Sequence, residues 1–244
     1  RDGQGRITTL GRNGSDYSGA IFAALFQAAE LHIWTDVDGV LSADPRVVPE
    51  AVTLAGLSYN EACELAYFGA KVVHPQTMTP AIVRQMPIWI RNTFNPGHPG
   101  TCISSSGADD GDTLSPIKGL TLSEGLAVLN LEGAGLIGVP GTAERVFAAL
   151  RHAQVSVVMI SQGSSEHSIC CVVRQADGQR ARAALLAAFA HELGAGQVHQ
   201  VQLSEGVSVL AAVGDGMAGK PGVAARLFES LGRARVNILA IAQG

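Results

Sequence analysis

The sequence predicts an α/β fold, with a largely parallel sheet over the first hundred residues and ferredoxin-like modules of βαββαβ type after it. Two observations carry this. Short β-branched runs alternate with helical patterns over residues 1–105, and a 37-residue segment recurs without a gap 81 positions further on.

In the first part, Ile7-Thr8-Thr9-Leu10 is a short β-branched run and Gly11-Arg12-Asn13-Gly14 is a turn. Ser15 is placed to cap a helix running through Ala20 to Ala29. Leu31-His32-Ile33-Trp34-Thr35 reads as a strand closed by Asp36-Val37-Asp38-Gly39, and a polar loop follows around Asp44-Pro45-Arg46. Ser58 with Glu61 three residues on has capping-box spacing, which starts another helix. Pro87 to Arg91 is a further strand. The small, polar, acidic run Ser104 to Asp112 is the candidate domain boundary.

The repeat aligns residues 127–163 with 208–244, and 16 of the 37 positions are identical. They include Gly133/Gly214, Gly138/Gly219, Pro140/Pro221, Gly141/Gly222, Arg145/Arg226, Phe147/Phe228 and Gln162/Gln243. Each copy reads as strand, glycine-rich turn, helix, strand. Val146, Leu150 and Ala153 fall at helical spacing, and Val155 to Ile160 form the next strand. After the first copy come a strand over Ser168 to Val173 and an alanine-rich helix over Gln179 to Leu193. The second copy reaches only its second strand.

Composition bounds the function. The chain has 244 residues, 47% hydrophobic and 16% charged, with a net charge of −4. An acidic balance argues against an electrostatic nucleic-acid binder, and no run approaches the roughly 20 apolar residues of a membrane span. Cys63, Cys102, Cys170 and Cys171 lack CxxC spacing and read as buried free thiols, which favours a reducing cytoplasm. The chain begins at Arg1 and ends just after an apolar run, so both ends read as cut from something longer.

Gly11 to Asp16 sets a flexible turn and an arginine between a strand and a helix. Free N–H groups and the positive dipole end suit an anion there; Arg12 could grip a carboxylate or phosphate, and Asp16 an ammonium group. An ordinary solvated βα turn is the alternative. Gly214 to Lys220 fits seven positions of a P-loop, but Pro221 stands where a magnesium-binding Ser or Thr is required. These glycines read as a tight strand-to-helix turn. Asp36 and Asp38 read as turn formers, and no metal site is assigned.

Thr8 to Ser18, Trp34-Thr35-Asp36-Val37-Asp38-Gly39-Val40, Asp44-Pro45-Arg46 and Phe68-Gly69-Ala70-Lys71-Val72-Val73-His74-Pro75 follow in one order. In that order they resemble the motifs of the aspartokinases. Asn13 is similar to the bifunctional, threonine-sensitive aspartokinase–homoserine dehydrogenases, and the repeat to their paired ACT modules. The resemblance implies an amino-acid-kinase-type domain and phosphoryl transfer from ATP, with Mg²⁺, to the β-carboxylate of L-aspartate. It implies that Arg12, Asn13, Gly14, Ser15 and Asp16 hold aspartate. Thr35, Asp36, Leu41, Arg46 and Lys71 would line the nucleotide site, with Arg12, Asp16 and Lys71 in catalytic roles. Leu41 stands where the family commonly has an aromatic residue. Gln162 and Gln243 would bind the effector, L-threonine; lysine or methionine are the other candidates.

The expected division is the C-terminal portion of the catalytic domain over 1–105, a first ACT module over 118–203 and the start of a second over 204–244. The family's Lys-Phe-Gly-Gly phosphate clamp is absent, so the 244 residues alone are expected not to turn over. A homo-oligomer is expected, with neither nucleic acid nor membrane as partner. A non-catalytic amino-acid-binding module and a kinase for another carboxylate, such as glutamate, are the rival readings. An amino acid bound without ATP would favour the first, and substrate competition would reveal the second.

Overall fold

The computed structural model describes residues 3–8, 14–69, 74–107, 116–163, 167–217 and 219–243. The expected boundary run lies mostly outside them, in 108–115. Two compact units are present. One comprises the chain up to Leu122 with Leu210–Arg226, and the other Ser123–Val209 with Leu227 to the end.

In the first unit, helix α1 (Gly14–Leu25) leads to strand β1 (Leu31–Thr35). Ser15 lies inside α1, one residue past its start, rather than capping it. The helix also stops earlier than Ala29, in a turn where Gln27 takes a left-handed φ of 54°. Ile7 and Thr8 lie in no strand. Strand β2 (Gly56–Ser58) runs into helix α2 (Tyr59–Tyr67), and helix α3 (Pro75–Val83) into strand β3 (Ile88–Asn92) and strand β4 (Thr101–Ser104). The capping box at α2 is complete: Glu61 N–H donates to Ser58 Oγ at 3.0 Å and Ser58 N–H to Glu61 Oε2 at 2.9 Å. His74 caps α3, its Nδ1 accepting from Gln76 N–H.

The sheet order is β1-β3-β4-β2. β1 pairs with β3 and β2 with β4 in parallel, whereas β3 and β4 run antiparallel. The layer is therefore mixed, because only a short connection joins β3 to β4 and a parallel pair needs a long crossover. Ile88, Ile90 and Ile103 are fully buried in one cluster with Leu57 of β2 and with Leu65, Met78 and Ala81 of the helices, and Val213 joins it.

The second unit holds the ferredoxin-like order expected of the repeat. Strands β5 (Gly119–Glu132), β6 (Val157–Gln162), β7 (Ser168–Arg174) and β8 (Gln200–Val213) line up as β6-β7-β5-β8. Helices α4 (Thr142–His152) and α5 (Gly178–Ala188) cover one face, burying Val146, Leu150, Ala181 and Leu185 against Leu129, Leu131, Ile169 and Cys171. The expected single helix over 179–193 is two: Phe189, fully buried, ends α5, and α6 (Ala190–Gly194) starts again after it. Burial pushes the Cys171 thiol up to about 12, which suits an inert core thiol. Cys63, Cys102 and Cys170 are free but only half-buried.

The repeat is carried into the backbone. β5 and β8, the 3-10 turns Ala134–Leu136 and Asp215–Met217, and α4 and α7 (Val223–Arg233) all start and stop 81 residues apart. So do the left-handed glycines Gly125/Gly206, Gly138/Gly219 and Gly141/Gly222. The expected second strand of the second copy is not formed: residues 236–243 pair with no strand. The counterpart β6 is held by β7.

Arg145 joins α4 to the segment beyond α5. It donates to Glu192 Oε1 at 2.6 Å and to Ala188 O at 2.8 Å, and its guanidinium lies 4.5 Å from the centre of the Phe189 ring. The Arg145 donor holds the Glu192 carboxyl below its usual value of 4.5. A lowered folded pKa contributes stability above the ordinary carboxylate range, and that contribution is lost as pH falls through the folded value. Thermal midpoints of the native chain and Arg145→Met should therefore differ most near neutral pH. As pH falls through the lowered Glu192 value the gap should narrow to the pH-independent remainder from the Ala188 bond and the Phe189 ring contact. Phe189→Ala should lower the stability of the second unit by about 3–5 kcal/mol in urea titration, as for other fully buried aromatics.

Candidate functional site

The described motif residues lie in the first turn of α1, at the carboxyl end of β1, in the loop that follows, and between α2 and α3. Arg12, Asn13 and Lys71 lie outside the described residues. Gly14, Ser15 and Asp16 form the first turn of α1, where Ser15 Oγ donates to Asp16 Oδ1 at 3.2 Å and Ser18 Oγ to Gly14 O at 2.7 Å. An acid in that turn complements the positive end of the helix dipole. Small side chains keep this helix close to α3, and Ala20 is fully buried.

Thr35 ends β1, and its hydroxyl donates to Asp36 Oδ1 at 3.1 Å. This is the carboxyl end of a parallel strand, the edge where α/β sheets bind ligands. Three ties fix the loop beyond it. Thr93 N–H donates to Thr35 O at 2.8 Å. Asp38 Oδ1 accepts from Asn92 Nδ2 at 2.8 Å and Asn95 Nδ2 at 3.0 Å, and these donors, Asn92 foremost, hold its carboxyl below the usual range. Val40 N–H donates to the buried Thr101 hydroxyl at 2.8 Å, which donates onward to Leu54 O. Gly39 has a φ of 131°, and a Cβ there would collide with Thr101 Oγ1, so only glycine lets the loop pass.

Leu41, half-buried, forms an isolated bridge with Thr53. Arg46 closes on Asp44 through its backbone N–H, Nε and Nη2, the last at 2.6 Å. This pair is exposed, and exposed ion pairs exchange readily with a competing anion, so a phosphate can take the guanidinium. The side-chain hydrogen bonds seen for Ser15, Asp16, Thr35, Asp36 and Arg46 run within their own motifs. Asp38, Asn92 and Asn95 escaped the sequence reading as supports for this loop. The available signal was the second acid of the Asp36-Val37-Asp38 turn, taken there as a turn former.

In the repeat, Gln162 ends β6 and Gln243 lies in the matching segment; both are exposed. Ser161 Oγ donates to Ile241 O at 2.7 Å, which lays the two glutamine-bearing segments side by side. Of the run Gly214 to Lys220, Asp215–Met217 form a 3-10 turn, and Gly219 and Lys220 precede α7; Ala218 lies outside the described residues. Among the described residues, no group of three or more His, Cys, Asp or Glu side chains could hold a metal ion, and no helix is long and apolar enough to cross a membrane.

Residues 1–92 match the amino acid kinase family, and residues 129–189 and 210–244 match the ACT domain. The bifunctional aspartokinase/homoserine dehydrogenase 1 of Arabidopsis thaliana, a chloroplastic protein, is 50% identical over 239 residues. That match takes in 97% of this chain but 26% of the relative, so the chain spans about a quarter of its length. The crystal structure of Clostridium acetobutylicum aspartate kinase superposes with a TM-score of 0.82 at 31% identity, covering 99% of this chain and 54% of that one. E. coli aspartokinase III in complex with aspartate and ADP superposes with a TM-score of 0.76 at 30% identity, covering 99% and 52%. In motif order and fold the chain is similar to the aspartokinases over nearly all of its length, with amino acid kinase sequence over residues 1–92 and ACT sequence over 129–189 and 210–244.

Proposed function

We propose that these residues form part of an aspartate kinase that transfers the γ-phosphoryl group of ATP to the β-carboxylate of L-aspartate, under feedback control through the ACT repeat. What supports the reading is one arrangement. Thr35 and Asp36 stand at the carboxyl end of β1 on a loop pinned by Asp38 and Thr101, and Ser15 and Asp16 open α1. In this reading Arg12, Asn13, Gly14, Ser15 and Asp16 hold aspartate, with Arg12 on a carboxylate and Asp16 on the ammonium group. Thr35, Asp36, Leu41, Arg46 and Lys71 line the nucleotide. A carboxylate oxygen forms a bond to the γ-phosphorus while the bond to the β–γ bridging oxygen breaks, releasing ADP. Catalysis is then positioning plus neutralisation of phosphate charge, with Lys71 and Mg²⁺ on the phosphates. E. coli aspartokinase III, crystallised with aspartate and ADP, lends support.

The division proposed is catalytic sequence over 1–105, a first ACT module over 118–203 and part of a second over 204–244. In this reading Gln162 and Gln243 contact the effector, L-threonine, since a bound amino acid needs polar partners; their matched places in the repeat, next to the Ser161–Ile241 bond, support it. The assembly is a homo-oligomer, and the half-buried free thiols fit a reducing compartment such as the cytoplasm. The 244 residues alone do not turn over.

Calorimetric titration with L-threonine, with L-lysine and L-methionine as controls, checks the regulatory half. Selective threonine heat that Gln162→Ala abolishes is the expected result. Preference for lysine or methionine would sink the threonine assignment, and aspartate-dependent ADP release by the 244 residues would sink the claim that they are inactive alone.

A further inference from the structure

Glu61 does more than cap a helix. Its side chain is 2% exposed. While Oε2 accepts from Ser58 N–H, Oε1 accepts from the backbone N–H of Asp215 at 2.9 Å, 154 residues away. Lys118 Nζ stands 3.7 Å from Oε2 and donates to Gly56 O at 3.1 Å. One buried carboxylate thus joins the start of α2 to the glycine turn of the second repeat, and all of these residues belong to the same compact unit.

The other end of α2 is gripped as well. Phe68 N–H closes the helix on Glu64 O, and Thr121 Oγ1 donates to Phe68 O at 3.0 Å. A Cβ on Gly69, whose φ is 133°, would sit 3.0 Å from Leu122 O, so a larger residue is strained there. Phe68 and Gly69 open the motif that continues to Lys71. Helix α2 is therefore a short rod of nine residues. The second repeat's turn holds it at one end, and the entry to β5 holds it at the other.

The repeat supplies its own control. The position matching Asp215 in the first copy is Ala134, and the position matching Lys118 is His199. There the turn packs on its own module, Gly135 N–H donating to Gln197 O at 2.9 Å. Two turns of the same backbone shape thus have different neighbours, and only the second reaches a buried acid on a helix leading into a kinase motif.

Resting on the function proposed above, we propose that Glu61 is the positioning residue that couples the second repeat's glycine turn to the Phe68–Lys71 motif. Displacement of the turn strips one of the two N–H donors from a buried carboxylate, and α2 must shift to restore it. Effector-linked movement of the repeat then reaches the nucleotide motif through a stiff helix rather than a loop.

Amide hydrogen exchange on the 244-residue chain tests this without activity. Asp215→Pro, read against Asp215→Ala to account for the lost carboxylate, removes the donated N–H at the first position of a 3-10 turn, where proline is tolerated; Glu61→Gln removes the charge and one acceptor. Each should speed exchange of the Phe68 amide by about tenfold, with β3 amides within about twofold, and the double variant should add nothing further. If Asp215→Pro does not fold, Lys118→Gln replaces it in the cycle. A Phe68 amide unmoved by either single variant, or effects that multiply, would overturn the coupling. Calorimetry on the same samples separates the two ideas. A non-additive cycle without amino-acid binding keeps the coupling and removes the effector reading, whereas binding with additive effects does the reverse.

Discussion

The repeat depends on how closely two glycine turns approach opposing backbone. A Cβ on Gly133 would collide with the carbonyl oxygen of Gln197, and a Cβ on Gly214 with that of Pro116. Gln197 and Pro116 are themselves 81 residues apart, so the same contact is built twice. Beside each contact a backbone bond locks a long strand in place: Lys118 N–H donates to Val213 O at 2.9 Å, and His199 N–H to Glu132 O at 2.7 Å. With the turns seated, β5 and β8 are held at their ends and the helices α4 and α7 leave in matching directions from left-handed Gly141 and Gly222. No side chain could substitute at the contact, because what it excludes is the first carbon of any side chain.

Equal backbones end in unequal surroundings. Val146 and Leu150 of α4 are 1% exposed beneath α5 and β7, whereas their counterparts Leu227 and Leu231 of α7 are only half-buried. The second copy's turn is instead occupied with Glu61 and Lys118. A buried carboxylate is costly unless its partners are complete, and here Ser58, Asp215 and Lys118 supply them. That arrangement makes the start of α2 and the second repeat parts of one unit despite their separation in sequence.

What was legible in the sequence was local or periodic. The Ser58–Glu61 box needs only a three-residue spacing, and the 81-residue offset needs only comparison of the chain with itself, so the start of α2, the repeat and the ferredoxin-like order came through. The direction of β4 against β3 was not legible, because pairing sense is decided between strands rather than within them. Nor was the break at Phe189 within an alanine-rich run of good helix formers, where burial of one ring overrides propensity. Residues 236–243 carry the pattern of a strand, yet a strand exists only where a partner offers its backbone. At the candidate site the motif residues were named from their order, while Asp38–Asn92 and Glu61–Asp215, 54 and 154 residues apart, became visible only in three dimensions.

The most direct measurement compares Gly133→Ala with Gly214→Ala by residue-resolved amide exchange and urea titration. Each is expected to cost about 1–3 kcal/mol from overpacking against rigid backbone. Gly214→Ala should loosen α2 and the β3–β4 pair while the β5–β7 ladder keeps its protection, and Gly133→Ala should do the opposite. A substitution without cost, or two substitutions that loosen the same unit, would contradict a repeat built on two equivalent glycine contacts, one of them set in the kinase-like unit.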